Sequence, residues 1–281
     1  MIPQEFEYTV PQSLDDTLKL LHSGDRKILA GGMSLIPLMK LRLASPEEVV
    51  DIGRLPGLNH ITETGGTVKI GATATHHDIE TSPVIRAKVP LLAEAAARIG
   101  DVQVRNMGTI GGSTAHADPA ADYPASLLAL EAQIRLASAN GERTIPAADF
   151  FLEAFTTALE PGELIVEIQV PVEESNEGYR YEKVPHPASG FAVVGVAARV
   201  KKTKNKITLA RIGVTGMSPR PFRARKAESL LESGATIEAA AAAVADGEEP
   251  NSDLYASAAY RQHLAKVYAQ RALTTALSRS S

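Results

Sequence analysis

The chain has 281 residues, 44% hydrophobic and 22% charged, with a net charge of −4, the balance of an ordinary globular protein long enough for two modest cores. That charge gives no electrostatic reason to expect nucleic acid or an anionic membrane as partner, and no run approaches the roughly 20 apolar residues of a membrane span. There is no cysteine, which excludes disulfides, a thiol nucleophile, thiolate-bound zinc and a Cys-bound iron–sulfur cluster within this chain.

The opening MIPQEFEYTVP lacks the basic end and apolar core of a signal peptide, so a cytoplasmic location is expected. Ser13 is placed to cap a first helix, with Asp16 as capping-box partner, Leu14, Leu18 and Leu21 on one face and Gly24 at its end. Lys27-Ile28-Leu29-Ala30 reads as a short buried strand running into Gly31-Gly32. Leu35 to Leu43 is an amphipathic helix interrupted by Pro37, and Val49 to Ile52 is a second strand. These elements make a compact α/β unit ending near residue 57.

Thr67 to Ile70 then reads as a strand, and Thr75 to Ile79 as the start of a short helix. Pro90 to Ile99 is an alanine-rich helix stopped by Gly100. A second glycine stretch follows, RNMGTIGGSTAHADPAADYP from Arg105 to Pro124. Beyond it Ala125 to Leu130 is helical, Gln133 to Ala137 a strand, Ile145 to Phe151 an apolar turn, and Leu164 to Val170 an alternating strand closed by Pro171. The polar stretch Glu173 to Gly178 marks a domain boundary. Tyr179 to Lys183, Phe191 to Lys201 and Lys206 to Thr215 are three strands of an antiparallel sheet, the last two joined by a solvated Lys-rich hairpin (Lys201 to Lys206). Ala224 to Glu232, Ile237 to Ala245 and Ala256 to Leu277 close the chain as helices.

Two glycine pairs, each fed by an apolar run, are the chemically suggestive feature. Glycine permits positive φ and removes the side chain that would hold a ligand off the backbone amides, so successive N–H groups can converge on an anion. Neither pair is a P-loop, which needs a following Gly-Lys-Ser/Thr, nor a Gly-x-Gly-x-x-Gly dinucleotide fingerprint. A tight turn explains either pair alone, but the hydroxyls of Ser34, Thr109 and Ser113 beside them suit a diphosphate better.

Other candidates are weaker. His76-His77-Asp78 could be metal ligands, but adjacent residues at a helix start point in different directions and no second cluster completes a site, so a helix cap by Asp78 and a packed or exposed imidazole account for them better. His116, Asp118 and Asp122 look like a proton-transfer or metal cluster, with a Pro119 turn braced by His116 as the alternative. Ser113 lacks the Gly-x-Ser-x-Gly elbow of a serine hydrolase.

The segments AGGMSLIPLMKLRL, GTIGGSTAHADPAADYPA, YEKVPHPASGFAVVGVAA and GMSPRPFRARKAESLL together resemble the FAD-binding medium subunit of the molybdenum hydroxylases, of the carbon monoxide dehydrogenase and xanthine dehydrogenase types, essentially end to end. The resemblance implies an α+β chain: a two-subdomain FAD-binding domain of the vanillyl-alcohol oxidase type over residues 1–175 (subdomains about 1–57 and 58–175), then an α+β C-terminal domain over 176–281 with a three-stranded antiparallel sheet and helices.

It further implies that Ala30, Gly31, Gly32, Met33 and Ser34, with Thr109, Ile110, Gly111, Gly112 and Ser113, hold the FAD pyrophosphate through amides and hydroxyls. Asp122 matches a carboxylate that binds the flavin's polar chain, Leu164 and Ile165 pack near the cofactor, Lys183 lies near the isoalloxazine ring as a cation favouring reduced flavin, and Phe191 sits where relatives place an aromatic over the ring. Met33 departs from a polar residue common there. The lack of cysteine argues against the 4-hydroxybenzoyl-CoA reductase branch.

The implied activity is that of an oxidoreductase subunit with non-covalent FAD and no catalytic residues or metal of its own. Partners would be a large molybdopterin-binding subunit and a small subunit with two [2Fe–2S] clusters, in a dimer of heterotrimers. Electrons would leave to a quinone, NAD or oxygen. A self-sufficient flavin oxidase and a flavin-less nucleotide-binding scaffold are the competing readings.

Overall fold

The computed structural model describes residues 2–22, 26–204 and 206–280, so the expected helix stop at Gly24 and part of the Lys-rich hairpin tip, Asn205, lie outside the described residues. Among the described residues three main sheets follow one another along the chain, with a small two-stranded one, Phe151–Glu153 against Thr156–Thr157, beside them. The first is parallel, with Glu48–Asp51 between Glu7–Thr9 and Arg26–Leu29. Its central strand buries Val49 and Val50, while helices Leu14–Leu21 and Leu35–Lys40 make the crossovers. Ser13 caps the first of these, its Oγ accepting from the Asp16 amide at 3.1 Å. The reciprocal arm differs from a capping box, since the Asp16 carboxylate accepts from the Ser13 hydroxyl.

The second sheet is antiparallel and five-stranded, in the order Ile61–Thr64, Thr67–Gly71, Leu164–Pro171, Gln133–Ser138, Gly141–Pro146. Leu164–Pro171 returns to its middle after a long excursion and is buried almost throughout. Between Thr67–Gly71 and Gln133–Ser138 the chain forms short helices: His76–Thr81, Pro83–Lys88, Pro90–Ala96, Val102–Met107, Ile110–His116 and Asp122–Ala129. Alanines and leucines of Pro90–Ala96 join Val68, Ile70, Ile134 and Ile168 in one core. A smaller cluster of Leu18, Val50, Ile52 and Leu55 with Ala137, Leu164 and Val166 joins the parallel sheet to this one.

The third sheet pairs Glu177–Pro185, Ala192–Thr203 and Lys206–Thr215 antiparallel, as expected, and adds a fourth strand of two residues, Phe222–Arg223. So short a strand carries no alternation by which a sequence could announce it. Helices Arg225–Glu232, Ile237–Ala242 and Ala258–Arg279 cover the sheet, and Val194, Val196, Ile212, Val214, Leu231 and Leu273 lie in their shared core.

Helix Asp122–Ala129 lies between the second and third sheets and holds them together. Gly213 faces it so closely that a β-carbon there would collide with the Ala125 carbonyl. The Thr215 hydroxyl lies 2.8 and 2.7 Å from the carbonyl oxygens of Pro119 and Ala121, and the Gly216 amide donates to Pro119 at 2.7 Å. At the helix's far end the Glu131 carboxylate meets Arg211 at 2.9 Å and Arg223 at 3.1 Å, which holds its pKa below the usual carboxylate range against the opposing effect of burial.

Candidate functional site

A cavity of about 810 Å³ opens where the parallel sheet meets the helices of the second sheet, with the loop Ser189–Phe191 of the third sheet closing one end. That is within the 300–1,000 Å³ range of sites that enclose a cofactor. Both glycine stretches line it, and they are built differently.

Strand Arg26–Leu29 delivers the chain into Ala30–Ser34, where Gly32 takes φ +74, a value that only glycine adopts without strain. Gly31 has no room for a side chain, since a β-carbon would run into the Met107 carbonyl and the Gly108 Cα. This contact sets the first loop directly against the entry to the second. Among the described residues, the amides of Gly31, Gly32, Met33 and Ser34 find no acceptor in the protein. Helix Leu35–Lys40 begins at once, without a side-chain cap from Ser34.

The second stretch is not the expected turn. Ile110–His116 is a helix, Gly111 and Gly112 lie in its first turn, and Thr109 is its N-cap. The glycines serve close approach here: a β-carbon on Gly111 would lie 2.6 Å from Ala72 O, and the Gly111 amide donates to that same oxygen at 2.9 Å. The Ile110 amide goes to Ala74 O at 3.0 Å, the Gly112 amide to Thr109 Oγ1 at 3.1 Å, and the Ser113 amide to Thr109 O at 3.0 Å. Amides 110 to 113 are thus engaged within the protein, and this helix instead brings the hydroxyls of Thr109 and Ser113, with the His116 ring, to the cavity wall.

Of the remaining expected residues, Asp122, Leu164 and Ile165 line the cavity, whereas Ile110 is wholly buried and Lys183 stands behind the wall. Lys183 Nζ, fully enclosed, donates to Asp122 Oδ2 at 2.8 Å and to the Arg98 carbonyl at 2.8 Å. The Tyr181 hydroxyl donates to the other Asp122 oxygen at 2.5 Å. Burial raises the Asp122 pKa and lowers that of Lys183, and each partner pulls the other back. The group nearest the cavity in this buried triad is therefore the carboxylate, with the cation behind it. Phe191 lies at the cavity rim, 44% exposed.

The histidine readings separate cleanly. His76 is buried and His77 exposed, so the two neighbours do not share a site. Thr75 and Asp78 form a full capping box. Asp118 Oδ1 accepts from the Ala120 amide at 2.8 Å, a turn brace, and His116 packs against the Phe155 ring at 5.1 Å. Among the described residues no group of three His, Cys, Asp or Glu is arranged to hold a metal ion.

Sequence reasoning missed Tyr181 and Arg98, which grip the Asp122–Lys183 pair, and Ile99, Gly100 and Ser189 on the cavity wall. Their only signal was position beside elements that were recognised, Gly100 as a helix stop and Tyr181 in a strand. His76 was seen, but not as a wall residue.

The fold and cleft are those of a nucleotide-binding flavoprotein. Residues 4–173 match the family described as FAD binding domain in molybdopterin dehydrogenase, and residues 179–276 match the CO dehydrogenase flavoprotein C-terminal domain. The chain is 43% identical to the carbon monoxide dehydrogenase medium chain of Hydrogenophaga pseudoflava over 99% of both chains. It is 41% identical to the glyceraldehyde dehydrogenase medium chain of Sulfolobus acidocaldarius, covering 97% of this chain and 98% of that one.

Among solved structures, carbon monoxide dehydrogenase from Hydrogenophaga pseudoflava superposes with a TM-score of 0.97 at 43% identity over 100% of both chains. Quinoline 2-oxidoreductase from Pseudomonas putida 86 superposes with a TM-score of 0.93 at 32% identity, again over 100% of both. The chain belongs to the FAD-binding medium subunits of the molybdopterin dehydrogenases, and is an oxidoreductase subunit whose cofactor is FAD. No helix among the described residues is long and apolar enough to cross a membrane.

Proposed function

We propose that this chain is the electron-transfer subunit of a molybdenum hydroxylase complex, receiving electrons from [2Fe–2S] clusters of a small partner subunit and passing them to an external acceptor such as a quinone, NAD or oxygen. A large molybdopterin-binding subunit oxidises the substrate, and the assembly is a dimer of heterotrimers in the cytoplasm. Relatives of nearly equal identity are named for carbon monoxide, glyceraldehyde and 6-hydroxypseudooxynicotine, which supports a substrate choice made outside this chain.

The observation that carries this reading is the run of amides from Gly31 to Ser34, which find no protein acceptor among the described residues and belong to a loop lining a cavity of cofactor size. Convergent backbone N–H groups suit a diphosphate, and the Thr109 and Ser113 hydroxyls supply donors from the adjoining helix. Bound non-covalently, FAD supplies one- and two-electron redox chemistry. The chain's own residues orient it and shape its surroundings: Ala30 to Ser34 and Thr109 to Ser113 hold the pyrophosphate, Asp122 accepts from the polar chain, and Leu164 and Ile165 exclude water. Ile110 acts by seating its helix, and Lys183 acts through Asp122.

The test is purification of the chain with its neighbours. Acid-releasable FAD, together with flavin bleaching by substrate only when the iron–sulfur subunit is present, is the expected result. Rapid substrate oxidation by this chain alone overturns the reading in favour of a self-sufficient oxidase, and a colourless chain that takes up no FAD overturns it in favour of a scaffold.

A further inference from the structure

Among the polar side chains on the cavity wall, His76 is left with unexplained chemistry. It opens helix His76–Thr81, and its backbone is fixed against the second glycine segment: the His76 amide donates to Gly108 O at 2.9 Å, and Thr75 bridges Thr109. The ring is 4% exposed, stands edge-on to the Tyr123 ring at 5.2 Å and lines the cavity. Of its two nitrogens only Nδ1 is enclosed without a partner, so Nε2 is the atom presented to the cavity. Gly108 keeps that atom clear, since a β-carbon there would lie 2.5 Å from Nε2.

A buried, unpaired N–H is rarer in proteins than an under-satisfied acceptor. The tautomer that avoids one leaves a bare lone pair on Nδ1 and carries the proton on Nε2. Burial first, and then the nearby Arg105 cation, push the pKa to about 4, so the ring is a neutral donor at physiological pH. Gly108, which Nε2 abuts, is the residue on which Gly31 packs, so the donor stands where the two glycine segments meet.

We propose that His76 is a further cofactor-binding residue, donating its Nε2–H to an oxygen on the central chain of FAD, either a phosphate oxygen or a ribityl hydroxyl. This rests on the FAD reading above, and the experiment separates the two. The apoprotein is titrated with FAD, following flavin fluorescence, as wild type and as His76→Phe, His76→Gln and His76→Asn. Gln carries an amide to the place of Nε2, Asn to the place of Nδ1, and Phe keeps the ring without a donor.

His76→Phe should bind FAD about tenfold more weakly, the scale of one hydrogen bond. His76→Gln should stay within about threefold of wild type, and His76→Asn should match His76→Phe. In ¹⁵N-labelled wild type the His76 Nε2 resonance should be that of a neutral N–H and should move on FAD addition, a readout that holds even if a variant folds poorly. A ³¹P shift of bound FAD between wild type and His76→Phe assigns the acceptor to phosphate; its constancy, with Nε2 moving, assigns it to ribityl. Equal affinity of His76→Phe and wild type, rescue by Asn as good as by Gln, or an unmoved Nε2 resonance overturns the proposal. A wild type that binds no FAD overturns the functional reading instead.

Discussion

Replacing Lys183 by Met tests whether the buried triad is an electrostatic unit. Lys183 Nζ has no exposed surface, and Asp122 is 4% exposed. The substitution fills the space but leaves the carboxylate with only the Tyr181 hydroxyl and the Arg98 carbonyl without its donor. Breaking a buried ion pair from one side costs about 3–5 kcal/mol, and the loss should appear in urea unfolding of the apoprotein at pH 7.

Burial already raises the Asp122 pKa, and Lys183 is the largest influence opposing it. In Lys183→Met the folded pKa rises further above the unfolded value. The unfavourable charged form then enters as pH climbs, so the deficit should grow from pH 5 to pH 8. Asp122→Asn keeps an acceptor for Tyr181 and removes the charge, so in the Lys183→Met background it should restore about 2 kcal/mol. The Asp122 pKa rises when the cation goes, which opposes the change in charge near the cavity, so the flavin potential should move little. The family resemblance instead implies a Lys183 cation near the ring whose loss would lower that potential. A deficit under about 1 kcal/mol, or one untouched by Asp122→Asn, refutes the electrostatic argument.

Further outcomes follow from single contacts. Gly31→Ala forces a β-carbon into the Met107 carbonyl and should separate the two glycine segments, weakening FAD binding at least about tenfold by fluorescence titration, the scale of a 1–3 kcal/mol overpacking strain. His76 has a folded pKa of about 4 against an ordinary 6.5, so it binds protons first in the unfolded state. Its contribution is complete above pH 6.5 and is lost as pH falls toward 4, up to about 3 kcal/mol, and His76→Phe should show a flatter stability–pH curve over that window. Burial, and then Glu177, raise Glu173 from 4.5 to about 7, so the folded state is penalised progressively as pH climbs from 4.5 and in full above about 7. Glu173→Gln should therefore stabilise by about 1 kcal/mol at pH 8, allowing for partial exposure, and by nothing at pH 4.

The strands and helices that carry their own periodicity were legible. Leu164 to Val170, the long C-terminal strands and the capped helix after Ser13 all appear where their patterns place them. Elements defined by partners were not. Glu7–Thr9 exists because Glu48–Asp51 offers it an edge, and Ile61–Thr64, with one half-buried and three exposed residues, has too little alternation to register. Val102–Met107 buries no side chain, so its helix rests on the Asp101 cap and contacts that no hydrophobic pattern encodes.

The glycine stretches show why a site is harder to read than a fold. Gly-Gly in AGGMSL and Gly-Gly in TIGGS look alike, yet one takes positive φ at Gly32 and the other lies inside a helix. What distinguishes them is the neighbour each approaches. Ala72, from a strand end some forty residues upstream, takes the Gly111 amide of the second pair while Ala74 takes that of the preceding Ile110, whereas in the first pair Gly31 meets the backbone of Met107 and Gly108 and Gly32 the side chains of Ile36 and Leu29. The same long-range packing makes His76 a wall residue and sets Lys183 behind Asp122. Residue type named the donors in each case; which of them stay free to bind was decided by contacts between segments far apart in the chain.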